Sequence, residues 1–190
     1  MPRAGLTTAA VVDAAARMID ERPDESLSLA TLAESLGVKP PSLYKHVDGV
    51  EGLRRRVMLR AKGEFADVLT DAAVGTSGAD ALRAFATAYR RWAESHPAQY
   101  ALTVRAPRSG DADDEEVSAR LAGIVYRVIA GFDIGGDDLI DAARFVRSAL
   151  HGFVDLETSG AFELPAATER SFDRAVASVA GALADWGRAA

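Results

Sequence analysis

The fold class expected from the sequence is all-α, with about nine helices. Three observations predict it. Apolar residues recur at intervals of three and four through most of the chain. No segment shows the strict alternation of a half-buried strand. Glycine, proline and serine clusters punctuate the pattern at helix-length intervals, as at 75–78, 95–97, 135–136 and 160–165.

Thr7 or Thr8 can cap a first helix, whose Val11, Val12, Ala15, Met18 and Ile19 form one stripe that ends before Pro23. The stretch 27–47, LSLATLAESLGVKPPSLYKHV, is the most informative of the chain. Leu29, Leu32, Ala33 and Leu36 share a face of a short helix, Ser28 caps it, and Gly37 accepts the left-handed backbone that ends it. Val38 plugs the turn, and Pro40 and Pro41 restart the chain with a helical φ already set. Leu43 and Val47 point back toward the preceding helix. Pro41, Ser42, Tyr44, Lys45 and His46 are thereby left outward, a surface of hydroxyl, ammonium and imidazole groups suited to phosphates and base edges. This is a helix-turn-helix signature, and its expected partner is double-stranded DNA.

The next helix is expected over about 50–69, with Leu53, Val57, Leu59 and Phe65 available for burial, until Gly75 to Gly78 break it. Leu82, Phe85, Ala86, Tyr89 and Trp92 mark a helix from Ala79 to about Ser95, and a short one follows through Tyr100 and Leu102. The acidic loop 108–115 leads into a helix over about 115–132. A helix over about 137–159 carries Leu139, Ile140, Ala143, Val146, Leu150, Phe153 and Val154. The last, from 167 to about 188, carries Phe172, Val176, Val179, Leu183 and Trp186. The expected partition is 1–49 for the helix-turn-helix domain, 50–74 for a linking helix and 75–190 for a second helical domain.

Composition narrows the function. With 190 residues, 48% of them apolar, the chain can bury a core without staples. It has no cysteine, so it forms no disulfide or thiolate metal site. No apolar leader or membrane-length segment is evident, and the expectation is a soluble cytoplasmic protein with no membrane partner. The net charge of −6 is uneven: residues 1–60 hold nine Lys and Arg against eight Asp and Glu, a balance of +1, which leaves −7 on the rest. The N-terminal field is therefore modest, supplied by Arg3, Lys39 and Lys45; Arg54, Arg55 and Arg56 read equally as a further part of it or as a solvated face or internal ion pairs. The three histidines are isolated, the acidic run 111–116 lacks the periodicity of a calcium loop and reads as solvated, and no phosphate-binding glycine loop or nucleophile elbow occurs. No metal, cofactor or catalytic residue is expected, and the protein is not expected to be an enzyme.

The motif in 27–47 resembles the DNA-binding domain of the TetR family of bacterial transcriptional regulators, over roughly 7–69. One position departs: where the family often has a phosphate-gripping lysine at the start of the next helix, this chain has Val50. The segment 148–165, SALHGFVDLETSGAFELP, resembles the C-terminal domain of a TetR subgroup named for a Trp-His-Gly signature, with Leu150, His151 and Gly152 in the signature position. The resemblance implies a homodimeric, ligand-responsive regulator, most often a repressor, acting on a quasi-palindromic operator. Its last two helices would pair with those of a second subunit, and its C-terminal domain would take a small-molecule effector. DNA-contacting candidates are Ser28, Thr31, Lys39, Pro41, Ser42, Tyr44, Lys45 and His46, with helix capping the alternative for Ser28. Effector-pocket candidates are Trp92, His96, Tyr100, Phe145, His151 and Phe162, with core packing the alternative for each aromatic. The rival reading is a helical small-molecule-binding protein or enzyme whose helix-turn-helix is only structural.

Overall fold

A computed structural model of the chain describes residues 6–23, 25–164 and 167–189; Arg3 lies outside them. Among these residues there are eight α-helices, one 3-10 helix and no strand. The α-helices are α1 (Thr8–Glu21), α2 (Leu29–Ser35), α3 (Gly49–Ala73), α4 (Gly78–Ser95), α5 (Pro97–Thr103), α6 (Ala112–Ala130), α7 (Gly136–Thr158) and α8 (Thr168–Ala189), with the 3-10 helix over Pro40–Lys45. The all-α expectation and the element order agree with this architecture.

The chain forms two compact units. The first holds the residues up to Gly63 together with His96–Pro107, and the second holds Glu64–Ser95 with the residues from Arg108 onward. This differs from a partition at 49/50 and 74/75: α3 contributes to both units, and α5 belongs to the first although it lies between α4 and α6 in sequence. The physical reason is packing. Leu102 of α5 lies against the core of Val11, Val12, Ala15, Ala16, Leu27, Leu32, Ala33, Leu43, Val47, Leu53 and Val57. The apolar period of the first helices gathers on that core, where burial of aliphatic side chains supplies the main stabilisation.

In the second unit α4 packs against α6, α7 and α8, and α7 packs against α6 and α8. Phe85, Ile124, Ile129, Val146, Val154 and Leu183 are buried in its core. Two glycines permit close backbone approach there. A Cβ on Gly131 would stand 2.7 Å from the Gly78 nitrogen, and one on Gly187 would run into the carbonyl oxygen of Phe132.

The expected start of α6 near Glu115 is corrected to Ala112. The Asp111 carboxylate accepts from the Asp114 amide at 3.2 Å and caps the helix, drawing Asp113, Asp114 and Glu115 into its first turn. Nor is the acidic run wholly solvated: Asp114 is buried and accepts from the Arg108 amide at 3.0 Å. Helix α3 likewise outlasts its expected end at Leu69, reaching Ala73 before Gly75 turns the chain at φ 77°.

Candidate nucleic-acid interface

The helix-turn-helix is built by local chemistry. Thr7 caps α1 by accepting from the Ala10 amide at 3.1 Å. The Ser28 hydroxyl accepts from the Thr31 amide at 3.1 Å and meets the Thr31 hydroxyl at 2.7 Å, so these two candidates first serve the start of α2. Helix α2 ends as expected at Gly37, φ 65°, with the Gly37 amide donating to the Glu34 carbonyl and the Val38 amide to the Ala33 carbonyl. Val38 packs against the core.

The expected helix over 41–46 is a 3-10 helix over Pro40–Lys45. Consecutive prolines remove two amide donors from its first turn, and the Ser42 amide bonds back to the Lys39 carbonyl at 2.9 Å. Leu43 and Val47 are buried. With those two inward, Lys39, Pro41, Tyr44 and Lys45 are exposed and Ser42 and His46 are half-buried; Tyr44 is 63% exposed, far above what a packed ring would show. His46 places Nδ1 3.3 Å from the Thr8 hydroxyl, tying the end of this short helix to the start of α1.

Charge around this surface is sparse. Val50 is partly buried against the core, so its position contributes packing and no cation. Arg54 lies 3.5 Å from Glu51 in an exposed ion pair, Arg56 is exposed and Arg55 is half-buried.

The six pocket candidates do not share one unit. His96, which precedes α5, and the buried Tyr100 belong to the first; Trp92, Phe145, His151 and Phe162 belong to the second. Trp92 is buried and stacked on Phe65, with ring centroids 4.6 Å apart. Phe145 meets the edge of Trp186 at 6.1 Å, Phe162 tilts against Phe153 at 5.0 Å, and His151 is half-buried on α7.

Sequence reasoning missed a charged cluster in the second unit. Arg90 of α4 is buried and donates through Nε and Nη2 to the two oxygens of Glu157, both at 2.7 Å, and through Nη1 to Glu169 at 2.7 Å. Glu94 stands 3.0 Å from its Nε, and the guanidinium lies 4.8 Å from the Phe172 ring centroid. The Glu157 bond raises the Arg90 pKa, and the same bond holds the Glu157 carboxyl below its ordinary value. Burial pushes Glu94 upward, against the pull of Arg90. Three helices are thereby joined through one side chain. Only the Glu94 spacing, four residues after Arg90 on one helix, signals the cluster in sequence. Among the described residues no group of three or more metal-ligating side chains could hold an ion, and no helix is long and apolar enough to cross a membrane.

A capped helix, a glycine turn and a short second helix with a polar outer face define a helix-turn-helix protein. A family model described as tetracyclin repressor-like, C-terminal domain, matches residues 82–179, a stretch that includes Leu150, His151 and Gly152. The HTH-type transcriptional regulator Rv0681 of Mycobacterium tuberculosis is 37% identical over 163 residues, covering 84% of this chain and 74% of its own length. Among solved structures, the regulatory protein SCO4313 is 25% identical with a TM-score of 0.76, over 92% of this chain and 95% of that one. The Streptomyces coelicolor TetR family protein ActR, solved in complex with (S)-DNPA, shares the fold with a TM-score of 0.67 at 17% identity, over 97% of this chain and 100% of its own. The chain belongs to the TetR family of transcriptional regulators.

Proposed function

We propose that this regulator is a sequence-specific, ligand-responsive repressor that acts in the cytoplasm as a homodimer on a quasi-palindromic operator. The observation that carries the reading is the outward display of Pro41, Tyr44 and Lys45, with Ser42 half-buried beside them, on a short 3-10 helix anchored by the buried Leu43 and by Val47 just after it. Such a platform suits the major groove, with Lys39, Lys45 and Tyr44 meeting phosphates or base edges and Ser28, Thr31 and His46 at its margins. Because Val50 supplies no charge and the N-terminal segment is nearly neutral, one copy has little phosphate attraction. Two copies on a two-fold axis double it.

Pairing is assigned to α7 and α8. Phe145 and Leu156 are exposed on one face of α7, and a Cβ on Gly152 between them would meet open space. On α8 the exposed Ala177, Gly181 and Ala182 would let a second helix approach closely. The effector is assigned to the helices of the second unit, with Trp92, Phe145, His151 and Phe162 as the candidate residues found there; His96, just before α5, and Tyr100, on it, remain candidates. The bound (S)-DNPA of ActR supports a small-molecule role for this fold. A ligand works as a switch only if it prefers one of two states of the dimer.

Selection of bound DNA from random sequence tests the reading, followed by titration against the enriched site at several salt concentrations. Enrichment of a quasi-palindrome with salt-dependent affinity is expected. Absence of salt-dependent binding would favour a helical ligand-binding protein or enzyme with a structural helix-turn-helix. Candidate effectors that saturate the protein and leave operator affinity unchanged would refute the switch.

A further inference from the structure

Helix α1 is gripped by polar groups along its length, and all the partners lie in the first unit. At its beginning Thr8 meets His46. In its middle the Asp13 carboxylate accepts from Arg60 Nε at 2.7 Å. At its end Asp20 accepts through Oδ1 from the backbone amides of Ala98 and Gln99, at 3.0 and 3.1 Å, and so caps α5 from outside. Gln99, 3% exposed, ties these grips together. Its Nε2 donates to Asp20 Oδ2 at 2.5 Å, and its Oε1 accepts from Arg60 Nη1 at 3.0 Å.

The direction of every donor in this chain is set by its neighbours. Arg60 can only donate, the Asp20 carboxylate can only accept, and the Gln99 amide satisfies both in a single orientation. With Gln99 buried and Asp20 and Arg60 half-buried, the network favours one arrangement and is costly when half satisfied. Helix α1 is about 20 Å long. A tilt of about 3° at the Asp20 end therefore displaces the Thr8 end by about 1 Å, more than a hydrogen bond to a phosphate or base tolerates.

We propose that Gln99, with Asp20, is a positioning residue for operator binding: through α1 it sets where Thr8 holds His46, and hence the seat of the 3-10 helix on DNA. The assignment rests on the DNA-binding reading above. It gives the seven-residue α5, which carries none of the outward platform, a part in reading DNA.

The test exchanges the two partners. In Asp20→Asn the new amide must turn its oxygen to the α5 amides and its nitrogen to Gln99, which then presents its own nitrogen to Arg60, donor against donor. In Gln99→Glu two carboxylates face each other. The double variant Asp20→Asn/Gln99→Glu restores every donor and acceptor and keeps the total charge. Operator affinity, measured on the enriched site below the melting temperature, should fall about tenfold in each single variant and return to within about twofold of the parent in the double. The ring resonances of His46, recorded without DNA, should shift in the single variants and return in the double. Single variants that melt lower but bind the operator like the parent would overturn the proposal, as would a double variant that stays weak. If a single variant does not fold, a folded double with parental affinity supports the proposal and a weak one overturns it. A parent that binds no DNA removes the DNA-binding reading, and this proposal with it, whatever the His46 resonances show. A parent that binds, with unshifted His46 resonances in the single variants, removes the Gln99 assignment alone.

Discussion

Replacing Arg90 by Met should reveal what the buried charge cluster holds together. Methionine keeps an apolar stem and removes the guanidinium together with its contact over the Phe172 ring. Of the three carboxylates, Glu169 is 74% exposed at its side chain and Glu94 40%, so their pairing adds at most about 1 kcal/mol each. Glu157 is 15% exposed and takes two of the bonds, so it sets the cost. A nearly buried carboxylate stripped of its partner loses about 3–5 kcal/mol, and the residual access to water favours the lower figure. The pH dependence has a definite sign. In the parent, Glu157 titrates below its ordinary value, so its stabilisation is present above that value and is lost as pH falls through the lowered one. Glu94 titrates above its ordinary value; its contribution is present below that value, is lost as pH rises through the raised one, and partly offsets Glu157. In the variant, Glu157 has no cation and takes up a proton readily, so the deficit of about 3 kcal/mol at pH 8 should shrink toward pH 5. Both tryptophans, Trp92 and Trp186, belong to the second unit. Urea unfolding followed by tryptophan fluorescence at fixed protein concentration therefore reads the affected part. A loss below about 1 kcal/mol at pH 8, or the same loss at both pH values, would refute the reasoning.

Lys45→Ala should lower operator affinity and reduce the slope of log affinity against log salt by about 1, with no change in melting temperature, as fluorescence anisotropy across a salt series would show. Gly187→Ala should cost about 1–3 kcal/mol in urea unfolding, because its Cβ meets the backbone oxygen of Phe132 and a carbonyl cannot swing aside as a flexible side chain can. Gly181→Arg, at an exposed position where a Cβ meets nothing within 4 Å, should leave the subunit folded and shift sedimentation from dimer to monomer; an unchanged dimer would move the pairing surface away from α8.

The parts legible in sequence are those whose physics is local. Ser28, Gly37 and the paired prolines act within a few residues of themselves, so the turn and the polar face after it follow from spacing alone. The helices of the second unit were legible for the same reason, since an apolar stripe repeats many times along one element. Even the start of α6 is set locally, by the Asp111 side chain capping the helix from within the acidic loop.

What escaped the sequence is carried by single polar residues with distant partners. Asp20 and Gln99 are 79 positions apart, as are Arg90 and Glu169. Neither pair repeats, so neither leaves a period, and each member alone reads as one more surface residue. Arg90 stands beside Arg91, and only the fold separates the buried one from the exposed one. The same blindness misplaced α5. A seven-residue helix carries too short a stripe to declare which core it joins, so chain order assigned it to the C-terminal helices. Its membership in the first unit rests on Leu102 packed against the core and on Asp20 at its N-terminus. The consequence bears on function: the sequence motif names the surface proposed to meet DNA, while Asp20 and Gln99, which tie α1 to α5, lie outside the motif.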